Sequence, residues 1–116
     1  MKDRELEGYY KRLDILDATA RQIINDFELL GIEVKFSGDP DNAYEELFKQ
    51  IYPHINDMIR KSDQKLIRVF QKIDLNEKLV KDVYRKKNSD VAAGITQLII
   101  KRELQKVVIR MHYKPK

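Results

Sequence analysis

The 116-residue chain has no cysteine, only four glycines and only three prolines. Without cysteine it has no disulfide, no thiolate metal ligand and no cysteine nucleophile, which fits a reducing compartment. Few of its residues break helices, and lysine, glutamate, leucine and isoleucine, which favour helices, are abundant. With 42% hydrophobic and 36% charged residues, the chain is long enough to bury a core, and we expect a single helical domain over 1–116.

Long hydrophobic runs are also missing. No run of large aliphatic residues exceeds three, as at 98–100 and 107–109, so the sequence predicts no membrane span. The N-terminal residues are highly charged and lack the apolar centre of a signal peptide. We therefore expect a cytoplasmic protein.

Motifs that carry catalysis or bind metals are absent as well. The residues three before His54 and His112 are isoleucines, so the Glu-x-x-His motif of di-iron bundles is missing. His54 and Asp57 share a helical face, where a carboxylate can orient an imidazole, but two neighbouring surface residues are the simpler interpretation. No glycine-rich phosphate loop accompanies them. We expect a protein that is not an enzyme and has no metal or cofactor.

The first predicted helix covers residues 3–30. Its apolar residues alternate steps of three and four, a heptad pattern that broadens into the face of a bundle helix: Leu6, Tyr9, Leu13, Leu16, Ala20, Ile23, Phe27 and Leu30. Ile15 and Ile24 lie beside this stripe and need a second surface to cover them. Gly31 follows the last apolar position, where glycine commonly ends a helix.

The stretch 43–73 carries the longest apolar face, and the sequence predicts that the other helices pack around it. We expect one helix over 41–73 because the apolar residues recur at helical spacing throughout, with Ser62 filling the one gap. Pro53 removes a backbone hydrogen bond. Either the helix kinks there or a new helix starts there; the unbroken apolar register favours a kink, with Ile51 and Ile55 both buried.

Two shorter segments and a loop complete the predicted fold. Asp74 and Glu77 have the spacing of a capping box and predict a helix over 75–87. A last helix is expected over 90–112, so that the chain is an all-α bundle of four main helices. Residues 31–42 form the one substantial loop, and its alternating Ile32, Val34 and Phe36 are expected to pack on the bundle because no second strand is available.

Charge is distributed unevenly along the chain. Residues 1–58 hold seven Lys and Arg against thirteen Asp and Glu, whereas residues 59–116 hold sixteen against six. The two halves either fold against each other, so that their fields partly cancel, or leave a basic surface for an acidic partner.

The last helix carries the best candidate for an anionic partner, a predicted solvent-facing row of Lys101, Arg102, Lys106 and Arg110. Cations near a helix C-terminus are favourable for the helix dipole alone. The same cations would neutralise phosphates in sequence-independent nucleic-acid binding. No helix-turn-helix, zinc-finger or RNA-binding motif supports the reading of bases.

The unequal helix lengths suggest self-association. The helix 75–87 is about half as long as the others, so that the ends of the long helices need cover from the 31–42 loop or from another copy. We expect a homodimer, the commonest closed assembly, with Ile15 and Ile24 in its interface and the acidic half of one chain near the basic half of the next. The expected role is a non-enzymatic interaction or structural module whose protein partner the sequence does not name, with weak nucleic-acid binding as the alternative.

The turn Ile73-Asp-Leu-Asn-Glu77, followed by Leu98-Ile-Ile-Lys-Arg-Glu-Leu-Gln-Lys-Val107, resembles the C-terminal half of short helical bacterial proteins without assigned function. The resemblance covers about a third of the chain. It implies a small bacterial cytoplasmic protein and no particular chemistry.

Overall fold

The computed structural model describes residue 8 and residues 12–112, and every regular element in that part of the chain is a helix. The helices are α1 (Leu13–Glu28), α2 (Ala43–Arg60), α3 (Lys65–Ile73), α4 (Glu77–Arg85) and α5 (Val91–His112). The predicted all-α class is confirmed, but the prediction of four main helices is wrong, since the described residues form five. Positions 3–7 and 9–11 of the predicted first helix lie outside the described residues.

The helix on which the others pack is α5, and not the stretch 43–73. It contacts each of the other four helices, and its buried residues point in more than one direction: Ala92, Ile95, Thr96, Ile99, Ile100, Glu103, Leu104, Val107 and Val108. By contrast, α2 and α3 each bury one stripe. Its wide apolar surface therefore makes α5 the centre of the bundle.

The predicted single helix over 41–73 is two helices, and the break lies at Ser62 and not at Pro53. Ser62 has a φ of +50°, and the following Asp63 N–H donates to the Met58 carbonyl at 2.9 Å, so the chain turns out of α2 there. The Asp63 carboxylate then accepts from the Lys65 N–H at 2.9 Å, a local bond that favours the start of α3. Ser62 is the one polar member of the apolar series, and it marks the break.

Pro53 lies inside α2, which runs on to Arg60. The residues two before and two after it, Ile51 and Ile55, are both fully buried, and this part of the prediction is confirmed. Proline at this position removes one backbone donor. Burial of the apolar face on both sides offsets that loss, so the helix continues past the proline.

Three helix ends share one backbone arrangement with a left-handed residue. Gly31 has a φ of +79°, and the Gly31 and Ile32 N–H groups donate to the Glu28 and Phe27 carbonyls at 2.9 and 2.8 Å. This is the Schellman pattern, and the predicted role of Gly31 is confirmed. Ser62 and Asp74 adopt the same left-handed conformation at the ends of α2 and α3.

The predicted capping box between Asp74 and Glu77 is wrong. Asp74 ends α3 with a φ of +61°, while the Asn76 side chain accepts from the N–H groups of Lys78 and Leu79 at 2.9 and 3.4 Å. Asn76 is therefore the N-cap of α4. The start of this helix is shifted by two residues because Asp74 is used to close the helix before it.

The loop before α2 packs on the bundle as predicted. Ile32 and Val34 are buried in the main core, and Phe36 packs against it. The Gln50 side chain on α2 accepts from the Lys35 N–H at 2.8 Å and donates to the Lys35 carbonyl at 2.6 Å. One glutamine thus satisfies the backbone groups that a neighbouring strand would otherwise satisfy.

Gly94 allows α4 to approach α5 closely. A Cβ atom added at Gly94 would lie 2.7 Å from Val83 Cγ1, and the valine side chain cannot easily change its rotamer because its χ1 is restricted.

We expect Gly94→Ala to lower the free energy of unfolding by about 1–3 kcal/mol, despite the higher helix propensity of alanine. Urea denaturation measures this loss. Combining it with Val83→Ala should restore part of the stability, and additive losses would contradict the proposed close contact.

Candidate interaction surfaces

The four cations predicted to form a solvent-facing row on α5 are divided between two grooves and are largely bonded within the chain. Arg102 Nη2 lies 3.2 Å from an Asp74 carboxylate oxygen, and Lys106 Nζ lies 2.7 Å from Glu103 Oε1. About a quarter of the Arg102 and Lys106 side chains is exposed. Arg110 is exposed and donates to the Gln22 amide oxygen at 2.9 Å. Lys101, Arg102 and Lys106 are half-buried and Arg110 is exposed, so the four cations do not form the single solvent-facing row that was predicted.

One groove, which we call the basic groove, lies between the start of α4 and the middle of α5. Its apolar floor and cationic rim are formed by Leu75, Leu79, Leu98, Lys101 and Arg102, with a cavity volume of about 550 Å³. Leu79 is 47% exposed. The Asp74 backbone carbonyl also accepts from Arg102 Nε at 3.1 Å, so the guanidinium is held at the rim by the turn that joins α3 to α4.

A second groove, the acidic groove, lies where α1 ends and the loop begins. It is formed by Ile24, Glu28, Ile32, Glu33 and Val34 around Gly31, with a cavity volume of about 500 Å³. The Schellman turn places the two carboxylates beside the apolar side chains by reversing the chain at the glycine.

Ile24 and Ile15, the two predicted self-association residues, have different surroundings. Ile24 lines the acidic groove and is partly exposed. Ile15 is 1% exposed and packs against Leu104, Val107 and Val108 of α5 in the same chain. The expectation that Ile15 needs a second copy to cover it is therefore wrong. The same chain covers it because α5 is apolar on the side that faces α1.

Sequence reasoning missed Glu103, which is completely buried. Its Oε1 accepts from Gln22 Nε2 at 3.1 Å and from Lys106 Nζ at 2.7 Å, while its Oε2 has no hydrogen-bond partner in the described residues. The sequence does carry a signal. Glu103 lies three residues after Ile100 and four before Val107, at a spacing that belongs to the apolar stripe.

The pKa of Glu103 is raised to about 7. Burial is the largest cause because it disfavours the charged form. The neighbouring Asp26 raises the pKa further, and Lys106 opposes both effects. Asp26 also lies 4.0 Å from Lys106 Nζ, so that one ammonium serves two carboxyl groups between α1 and α5.

His54 and Asp57, the two residues considered for catalysis, are not joined by a hydrogen bond or an ion pair. Asp57 pairs with Lys61 at 3.3 Å, and His54 is exposed on the solvent side of α2. Within residues 8 and 12–112, no three histidine or carboxylate side chains are grouped so that they could hold a metal ion. None of the described helices is long and apolar enough to cross a membrane.

Comparisons with protein-family models, with curated proteins and with solved structures find no match for this chain. The functional argument therefore depends on the two apolar grooves and the buried Glu103 network.

Proposed function

We propose that this protein is a non-enzymatic helical interaction module of the bacterial cytoplasm that self-associates as a homodimer. The observation that carries the proposal is the pair of grooves on one chain. Both have apolar floors, and their rims have opposite net charges. Lys101 and Arg102 outweigh Asp74 on the basic groove, and Glu28 and Glu33 line the acidic groove, where Lys35 pairs with Glu33 at 3.5 Å. A second copy of the chain supplies the complement of each groove.

In a two-fold dimer each contact occurs twice, because residue i of one copy meets residue j of the other and the reverse. The acidic groove of each copy would face the basic groove of its partner. Contact between Ile24 and Leu79 would remove apolar surface from water, and the charged rims would select this orientation over a like-charged one.

Charge reversal on either groove is expected to break the dimer. We predict that Glu28→Lys/Glu33→Lys and Lys101→Glu/Arg102→Glu each raise the dimer dissociation constant at least tenfold, because like charges would then meet across both contacts. Light scattering after size exclusion measures the mass of each variant against the 13.8 kDa chain. Mixing the two variants should restore a dimer, since every contact in the mixed pair again joins opposite charges.

Asp41→Lys/Glu45→Lys provides the matched control, since it reverses two exposed acids outside both grooves. This control should dimerise like the unmodified chain. A mass of one chain for the unmodified protein at micromolar concentration would overturn the proposal. A mixture of the two groove variants that remains monomeric would place any dimer interface elsewhere.

Sequence-independent nucleic-acid binding through α5 is the alternative proposal. Arg110 favours this alternative, because its guanidinium is exposed and its hydrogen bond goes to the neutral amide of Gln22. Phosphates would have to compete with Asp74 for Arg102 and with Glu103 for Lys106. Binding to generic duplex DNA with an affinity that falls steeply with salt would support this alternative; affinity that ignores salt would exclude it.

A further inference from the structure

A third groove, which we call the mixed-charge groove, lies beside the buried Glu103 network and takes no part in the proposed dimer. Its cavity volume is about 820 Å³. Three helices contribute cations to it: Arg21 from α1, Lys72 from α3, and Lys106 and Arg110 from α5. Bringing four cations to one groove is unfavourable unless acids or a bound anion compensate them.

Two of the three acids that line the groove are paired with cations. Asp14 pairs with Arg12 at 2.9 Å, and Asp26 shares Lys106 with Glu103. Asp17 is the remaining carboxylate of the lining. Asp26 and Glu103 thus account for Lys106, and Asp17 is the one lining acid left to offset Arg21, Lys72 and Arg110.

Those other cations have little neutralisation within the described residues. Neither Arg21 nor Lys72 forms an ion pair within residues 8 and 12–112, and Arg110 donates to the uncharged Gln22 amide. Arginine guanidinium groups are suited to tetrahedral oxyanions because they donate two parallel hydrogen bonds. An anion with several oxygen acceptors therefore complements this part of the groove.

Hydrogen bonds from the buried Glu103 network also fix the position of Arg110 in the groove. The buried Glu103 accepts from Gln22 Nε2, and the Gln22 amide oxygen accepts from Arg110 Nη1. This chain of bonds runs from a completely buried carboxyl group to an exposed guanidinium. Arg110 is thereby oriented in the groove before any ligand arrives, which reduces the entropy lost on binding.

We propose that the mixed-charge groove binds a small dianion of the phosphate class through Arg21, Lys72 and Arg110, with Gln22 as a positioning residue. Inorganic phosphate and a phosphate monoester present the same terminal oxygens. The phosphate class fits because its oxygens accept several hydrogen bonds at once, and because Asp14, Asp17, Asp26 and Glu103 leave a small net positive charge beside the cations of the groove.

Titration calorimetry at low ionic strength and pH 7.5 tests the site, with inorganic phosphate as one ligand and phenyl phosphate as the other. Saturable one-to-one binding of either ligand is expected, with tighter binding of phenyl phosphate indicating an ester as the natural ligand class. Arg21→Gln and Arg110→Gln should each raise the dissociation constant about tenfold, the effect of losing one charge-assisted contact. Gln22→Met should weaken binding about threefold to tenfold although it removes no charge.

Arg68→Gln is the matched control, since it removes an exposed arginine outside the groove. It should change the dissociation constant less than twofold. An equal loss in Arg68→Gln and Arg21→Gln would show general charge attraction and overturn the site, as would heat that does not saturate. Circular dichroism of each variant separates lost binding from lost folding. The dimer mass should stay unchanged in the Arg21 variant, so this site and the dimer are tested independently.

Discussion

Replacing Lys106 by methionine is expected to lower the free energy of unfolding at pH 8 by about 1–2 kcal/mol, because Glu103 then takes up a proton in the folded chain, which costs about 1.4 kcal/mol at one pH unit above its pKa of about 7. At this pH the buried Glu103 is mainly ionised, because its pKa is about 7, and Lys106 lies 2.7 Å from it. Methionine keeps the apolar stem but removes the ammonium. Removal of one partner of a buried pair leaves the other charge uncompensated in a medium of low polarity, which is the costly case.

Urea denaturation of Lys106→Met at pH 8 and pH 5 measures this effect. The loss should be smaller at pH 5, because Glu103 is then protonated in the folded chain and needs no cation. Lys49→Met, which alters an exposed lysine on α2, controls for the loss of one surface charge and should change stability by less than about 0.5 kcal/mol. A loss at pH 8 no larger than the loss at pH 5 would show that Lys106 does not compensate the ionised Glu103.

Most helix positions follow from apolar spacing, but the breaks follow from local backbone conformation. The end of α1 was predictable because Gly31 accepts a left-handed conformation without steric cost. The ends of α2 and α3 place the same conformation at Ser62 and Asp74, residue types that adopt it less often. The apolar series continues at helical spacing on both sides of Ser62, so periodicity alone did not reveal the break there.

The length of an apolar stripe did not identify the central helix of the bundle. The stretch 43–73 has the longest stripe, yet α5 contacts every other helix because it is apolar on several sides. Ile15 is covered by Leu104, Val107 and Val108 of α5, which lie about ninety positions after it in the sequence. Contacts of that separation leave no periodic signal in either segment, so the sequence indicated only that some cover was needed.

The candidate site was partly visible in the sequence. The four cations of α5 were identified, but two of their partners lie far from them in sequence: Asp74 pairs with Arg102, and Gln22 accepts from Arg110. Glu103 was not identified as a buried residue, and in the sequence it stands among the charged residues Lys101, Arg102 and Lys106. Its helical spacing from Ile100 and Val107 is the better indicator, since a position on the apolar stripe is buried whatever residue it holds.

Glu103→Gln is expected to abolish a pH dependence of stability worth about 3 kcal/mol. The pKa of Glu103 rises from an ordinary value of 4.5 to about 7 on folding, first because of burial and then because of Asp26. Between these two values the folded chain holds a proton that the unfolded chain has released. Stability from this group is therefore fully present below pH 4.5, falls as pH rises towards 7, and is constant above it. Each pKa unit corresponds to about 1.4 kcal/mol.

Glutamine has nearly the shape of the protonated acid and cannot ionise, so the side chain at position 103 stays uncharged throughout this range. The difference in free energy of unfolding between Glu103→Gln and the unmodified chain should shift in favour of the variant by about 3 kcal/mol between pH 4.5 and pH 8. Asp14 and Asp90, whose pKa values are lowered, act below this window and cancel in the comparison. Urea denaturation across the range decides the point: a difference that stays constant with pH would mean that Glu103 ionises as readily in the folded chain as in the unfolded one, and that the buried carboxyl is held by its partners without a proton.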